Sequence, residues 1–242
     1  MNFARNTVEV RCVLASLFLC TIPAYAVDAP FNSSSISGLG ARNIGSAAMS
    51  GRISCIAGVH EPSGKITLFV GSASGGVWKS DDSGTRYRPI FDEQSVQSIG
   101  AIALDPKNSK NVWVGTGETW TRNSVSIGDG IYKSTDGGES WSRAGLEKSE
   151  RIGRIAVDPR NSDTVFAAVP GALWSDSPDR GLYKTTDGGK TWQQVLKGAN
   201  LSTGCTDVDI DPSNPDIMGS RAPWRWAAAG NSQLSTLNSK PK

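Results

Sequence analysis

The eight residues Ser134-Thr135-Asp136-Gly137-Gly138-Glu139-Ser140-Trp141 return in kind as Thr185-Thr186-Asp187-Gly188-Gly189-Lys190-Thr191-Trp192. A third, worn copy, Ser80-Asp81-Asp82-Ser83-Gly84-Thr85-Arg86-Tyr87, keeps the leading hydroxyl, the Asp and the Gly but ends in Arg86-Tyr87. The copies start at 80, 134 and 185. Self-similarity at a period of about 50 residues confines such a chain to stacked supersecondary units, each too small to bury a core alone.

Each octamer has the chemistry of a tight β-hairpin connection, because Gly tolerates positive φ and an Asp side chain accepts hydrogen bonds from amides just ahead of it. Alternating apolar runs precede the octamers: Gly76-Val77-Trp78-Lys79-Ser80, Gly130-Ile131-Tyr132-Lys133-Ser134 and Gly181-Leu182-Tyr183-Lys184-Thr185. These read as strands. The Trp that closes a good copy opens the returning strand, where its ring can cover the hairpin. Asp82, Gly84, Asp136, Gly138, Trp141, Asp187, Gly189 and Trp192 are therefore expected to be structural.

A second punctuation keeps register with the first. Asp105-Pro106, Asp158-Pro159 and Asp211-Pro212 are 53 residues apart each time and follow the runs 99–104, 152–157 and 207–210. The first unit carries strand patterns near 53–57, 66–71, 76–80 and 87–91. Four short strands per unit, about 50 residues per unit and one hairpin signature describe β-propeller blades. The expected fold is all-β, with four-stranded antiparallel blades at about 51–91, 99–144 and 152–196 and a partial fourth at 204–218. After residue 218 no octamer follows, and 219–242 is expected to be an off-pattern, disordered tail. Three blades and a fraction do not close a ring. That predicts an incomplete propeller, a truncated piece of a larger one, with open edges inviting edge-to-edge self-association.

Residues 1–26 read as a signal peptide: Arg5 and Arg11 precede an apolar run from Cys12 to Ile22, and Ala24-Tyr25-Ala26 supplies a cleavage pattern. The expected location is secreted or periplasmic, with no membrane association once the signal is removed. Residues 27–45 form a polar lead-in segment. Cys12 and Cys20 leave with the signal, and Cys55 and Cys205, in different units, are expected to be separate buried thiols. The single histidine, His60, and the absence of zinc-type spacing point to no metal and no cofactor. A net charge of +2, with 20% charged residues, gives no reason to expect nucleic acid as a partner. The 27 Gly and 8 Trp suit many short strands and tight turns.

The octamers resemble the Asp-box (BNR) repeat, Ser/Thr-x-Asp-x-Gly-x-Thr/Ser-Trp. Gly40-Ala41-Arg42-Asn43-Ile44-Gly45, Ser50-Gly51-Arg52-Ile53 and Gly71-Ser72-Ala73-Ser74-Gly75-Gly76-Val77-Trp78 resemble the opening of large secreted bacterial glycosyl hydrolase, BNR-repeat or sortilin N-terminal-like proteins. The resemblance implies architecture, since Asp-box propellers include sialidases, xyloglucan-degrading enzymes, sortilin receptors and a photosystem II assembly factor. A sialidase would need three converging arginines and a Tyr-Glu pair, and no such set is recognisable, although Arg42, Arg52 and Arg154 lie near strand starts. Xyloglucan-acting relatives place a catalytic Asp just before the Gly-Gly pair, where this chain has Ser72-Ala73-Ser74.

In a four-stranded blade the loop between strands two and three and the linker to the next blade share one face, and the octamers occupy the other. Loops 72–75, 117–129 and 170–180, with linkers 92–98 and 145–151, therefore form the candidate ligand face. They carry Glu118, Trp120, Arg122, Asn123, Trp174, Asp176, Asp179 and Arg180, of which all but Asp179 are the candidate ligand-binding set. Trp and Arg on loops are the types that anchor interfaces or stack on sugars. No catalytic pair can be named. The leading expectation is a secreted binding or interaction scaffold for carbohydrate or protein; the alternative is a truncated glycoside hydrolase of sialidase-like or xyloglucanase-like type, inactive alone.

Overall fold

A computed structural model describes residues 52–120, 125–211, 214–215, 217–221 and 234–238. The signal and lead-in segments expected before residue 46 lie outside them. Among the described residues there is no helix; fifteen strands form four antiparallel sheets. Sheet one runs β1 (Ile53–His60), β2 (Ile66–Ser72), β3 (Val77–Ser80) and β4 (Arg88–Pro89). Sheet two contains β5 (Ile99–Asp105), β6 (Asn108–Thr116), β7 (Ile131–Ser134) and β8 (Ser142–Arg143). Sheet three contains β9 (Arg154–Val157), β10 (Val165–Val169), β11 (Gly181–Thr185) and β12 (Gln193–Leu196). In each, sequence order is spatial order, the up-and-down plan of a propeller blade.

The blades superimpose by register. The aromatics Phe69, Trp113 and Phe166 on the second strands pair with Lys79, Lys133 and Lys184 on the third. Each ammonium lies over its aromatic partner, at 5.7, 4.7 and 5.3 Å from the ring centroid. Strand alternation then sends apolar side chains to both faces of every sheet, and the core lies between sheets. Phe69, Val77, Ile99, Val112, Val114 and Tyr132 fill the layer between blades one and two. Trp113, Ile131, Ile152, Ile155, Val165 and Val169 fill the next, and Phe166, Ala168, Leu182, Cys205 and Val208 the third. Cys55 and Cys205 are separate thiols.

Every octamer closes in the same way. The hydroxyl of Ser80, Ser134 or Thr185 accepts the N–H of Gly84, Gly138 or Gly189, at 2.9, 2.8 and 3.0 Å, and donates to the Asp carboxylate at 2.9, 2.7 and 2.7 Å. Gly138 and Gly189 sit at φ +92° and +94°, where a side chain would be strained. The closing Trp also reaches backwards: Trp141 Nε1 donates to Ile90 O at 2.7 Å and Trp192 Nε1 to Ala144 O at 2.6 Å. Each good octamer thus fastens its blade to the blade before it. In the worn copy, on the first described blade, Tyr87 is exposed at 43%, and on β1 Ile53 and Ile56 are exposed at 55% and 61%.

The fourth sheet departs from expectation. β13 (Asp207–Ile210) pairs with β14 (Ile217–Arg221), and β14 pairs along its far side with β15 (Leu234–Asn238). The expectation of a tail without regular structure after residue 218 is corrected for residues 219–221 and 234–238. An unpaired strand edge offers a row of free N–H and C=O groups, which a segment without an Asp-box signature can pair with.

Candidate functional site

The second-to-third-strand loops of the three blades begin at equivalent positions, fixed by the pairing of Gly71 with Cys55, Gly115 with Ala101 and Ala168 with Arg154. By that register Glu118 is the counterpart of Ser74 and Gly171. A carboxylate occurs at this place in only the middle blade; one arginine pairs with it and a second bonds the main chain of the same residue. Arg52, just before β1, makes an ion pair with Glu118 Oε1. Arg151, just before β9, donates through Nε to the Glu118 carbonyl at 3.0 Å and through Nη1 to Glu150 Oε2 at 2.8 Å. The Glu118 N–H donates to Ser98 Oγ at 3.0 Å.

Glu118 is 1% exposed and Arg151 2%. Glu118, expected on the ligand face, is thus a buried residue whose carboxylate pairs with Arg52, as a buried charge must. Burial pushes the Arg151 guanidinium below its ordinary value, and the Glu150 carboxylate opposes that shift. Arg52 also lies under the Trp120 ring, 5.4 Å from its centroid, holding one side of an indole that is 66% exposed. Arg122 and Asn123 lie outside the described residues.

On the neighbouring blade, Trp174 is likewise 66% exposed and Asp176 is exposed. Arg180 is not presented to a ligand in the same way. Its Nη1 donates to Pro170 O at 2.6 Å, and its Nη2 donates to Ser175 O at 2.9 Å and to Ala172 O. The guanidinium thus braces its own loop, because a loop of this length without regular structure leaves carbonyls that the five-donor fork can satisfy. The structure brings Glu118 and Trp120 together on Arg52, and places Trp174, Asp176 and Arg180 together on the loop of the next blade.

Arg52 and Arg151 were not in the candidate set expected from sequence. A signal existed, since both stand in an Arg-Ile pair directly ahead of an inner strand, at equivalent positions of blades one and three. Among the described residues no three His, Cys, Asp or Glu side chains converge as a metal site would, and no helix is long and apolar enough to cross a membrane.

Residues 75–218 match the Sortilin-Vps10 family model, described as sortilin, neurotensin receptor 3. The xyloglucanase Xgh74A of Acetivibrio thermocellus is 26% identical over 168 residues, 64% of this chain and 19% of that protein. A xyloglucanase of Hypocrea jecorina is 28% identical over 177 residues, 66% of this chain and 20% of its own length. The chain thus spans about a fifth of the curated relatives it matches. An ancestral GH74 enzyme superimposes with a TM-score of 0.54 at 19% identity, covering 77% of this chain and 26% of that structure. The GH74 enzyme of Niastella koreensis gives 0.50 at 24% identity, covering 64% and 23%.

Proposed function

This chain belongs to the Sortilin-Vps10 family, and from that premise we propose that its loop face binds a xyloglucan-type polysaccharide, with Trp120 and Trp174 as stacking platforms. The observation that carries the reading is the pair of indoles, each 66% exposed on loops of adjacent blades. Exposed aromatic rings on loops suit the apolar faces of sugar rings. Arg52 steadies Trp120 from one side, and the buried Glu118 holds Arg52 in place. Asp176 is exposed on the loop that carries Trp174. Similarity to xyloglucanases supports this polymer class, and a polymeric substrate fits a secreted or periplasmic protein. Among the described residues, sheet one leaves Ile53 and Ile56 exposed at 55% and 61%, which suits reading these blades as one arc of a larger ring.

Isothermal titration of the full chain with xyloglucan oligosaccharides tests the proposal. Trp120→Ala and Trp174→Ala should each weaken binding by about five- to thirty-fold, the equivalent of about 1–2 kcal/mol. Undiminished affinity in the double variant would remove the reading in favour of a protein-binding scaffold.

The relatives favour a second reading, glycoside hydrolysis. It ordinarily needs two carboxylates about 5–9.5 Å apart across the scissile bond, and Glu118 faces Arg52 from a buried position. Release of reducing sugar that disappears in Asp176→Asn or Glu118→Gln would favour the enzyme over the binding module.

A further inference from the structure

Three equivalent positions of the repeat meet at one residue. Arg52, Ser98 and Arg151 each stand directly before an inner strand, three residues ahead of the equivalent Cys55, Ala101 and Arg154. From three blades they take hold of three different groups of Glu118. Arg52 pairs with its carboxylate, Ser98 Oγ accepts its N–H at 3.0 Å, and Arg151 Nε donates to its carbonyl at 3.0 Å. Ser98 Oγ in turn donates to Ser126 O at 3.2 Å, farther along the same loop. Two residues beyond this triple hold stands Trp120, which is 66% exposed.

The linker that delivers Arg151 is strained. Leu146 and Glu150 stand at φ +59° and +54°, and among the described residues only Ser83 shares that left-handed region without being a glycine. The preceding linker, 92–98, contains none. Residues with a Cβ persist there only where their surroundings over-determine them, and such strain gathers at ligand-binding sites. Here the constraint is the loop that carries Trp120. Gly128 N–H donates to Glu150 O at 2.7 Å, and Arg151 Nη1 donates to Glu150 Oε2 at 2.8 Å. Glu150 O presses so closely on Gly117 that no side chain fits there. Arg52 then supports the Trp120 ring, 5.4 Å from its centroid. Blade three thus fixes the main chain under the indole, and blade one supports the indole itself.

We propose that Arg151 and Ser98 are positioning residues for ligand binding, which set Trp120 in place before the ligand arrives. The inference rests on the polysaccharide reading for what Trp120 binds, and on the contacts to Glu118 for how the ring is held. A ring ordered in advance loses little side-chain freedom on stacking, so more of the contact free energy is kept as affinity. Trp174 is the internal comparison, because Arg180 braces its loop from within.

The test uses NMR relaxation of the full chain with 15N-labelled indoles. In the native chain the Trp120 indole N–H should be well ordered, with an order parameter of about 0.8. Arg151→Lys keeps the charge but loses the guanidinium fork; it should lower that value below about 0.6 while Trp174 keeps its native one. Binding of xyloglucan oligosaccharides should weaken about two- to twelvefold in Arg151→Lys. In that background Trp120→Ala should cost less than about threefold, whereas Trp174→Ala should keep its full effect. Ser98→Ala, a smaller change, should loosen Trp120 in the same direction, and it decides if Arg151→Lys fails to fold. An unchanged Trp120 indole, equal loosening of Trp120 and Trp174, or an undiminished effect of Trp120→Ala in the Arg151→Lys background overturns the proposal. If the native chain binds no xyloglucan oligosaccharide, the polysaccharide reading falls, and the relaxation data alone decide whether Arg151 and Ser98 hold Trp120.

Discussion

Replacing Trp192 by Phe probes the contact that binds blade three to blade two. The indole N–H donates to Ala144 O at 2.6 Å, and its ring meets Trp113 edge-on, with centroids 6.4 Å apart and planes at 88°. Phe keeps a ring but no donor. Loss of the bond costs about 1 kcal/mol net, and the carbonyl of the buried Ala144, left without its partner, adds about 1–2 kcal/mol. A shorter ring also weakens the edge-on contact, so the expected total is about 2–4 kcal/mol. For a chain of this length that lowers Tm by roughly 5–12 °C. Thermal and urea unfolding of Trp192→Phe should be read beside Trp174→Phe, whose ring is 66% exposed and whose replacement should stay within about 0.5 kcal/mol of the native chain. A broader urea transition is also expected, because blades joined mainly to their neighbours lose cooperativity when one interface weakens. If Trp192→Phe melts no lower than Trp174→Phe, the octamer tryptophans do not couple the blades and the reasoning fails.

Acid should weaken the fold through the octamers. The Ser140 hydroxyl, the Ser140 N–H and the Ser134 hydroxyl hold the Asp136 carboxyl well below the usual carboxylate range, and Thr191 and Thr185 do the same for Asp187. A carboxyl whose folded pKa is depressed contributes stability above its unfolded value and loses it as pH falls towards the folded one. The gap in Tm between the native chain and Asp136→Asn should therefore narrow from about pH 5 to about pH 3; a gap that stays constant across that range would contradict the assignment. Gly100→Ala should destabilise by about 1–3 kcal/mol, since a Cβ there would stand 2.3 Å from Ile152 O and 2.4 Å from Gly117 O. Gly64→Ala is its comparison: nothing lies within 4 Å, while its φ of +81° makes any cost a backbone one. A Gly100→Ala chain no less stable than native would show that the inner strands are not in close contact.

The sequence by itself determined what is local. A hydroxyl, an Asp and a Gly within eight residues close a hairpin through bonds spanning at most four positions, so the three turns, and the strands leading into them, could be read from Ser134–Trp141 and its copies. Tertiary structure decided which blade meets which atom. Trp192 bonding Ala144, Arg52 pairing with Glu118 across blades, and Arg180 turning into its own loop all depend on how blades stack or on an irregular loop path. The same holds for β15, which pairs with β14 without an Asp-box signature. Hairpins are written in short-range hydrogen-bond chemistry, whereas the ligand face is assembled by stacking blades, and only the stacked blades specify which loop side chains are buried as struts and which, like Trp120 and Trp174, stay open to solvent.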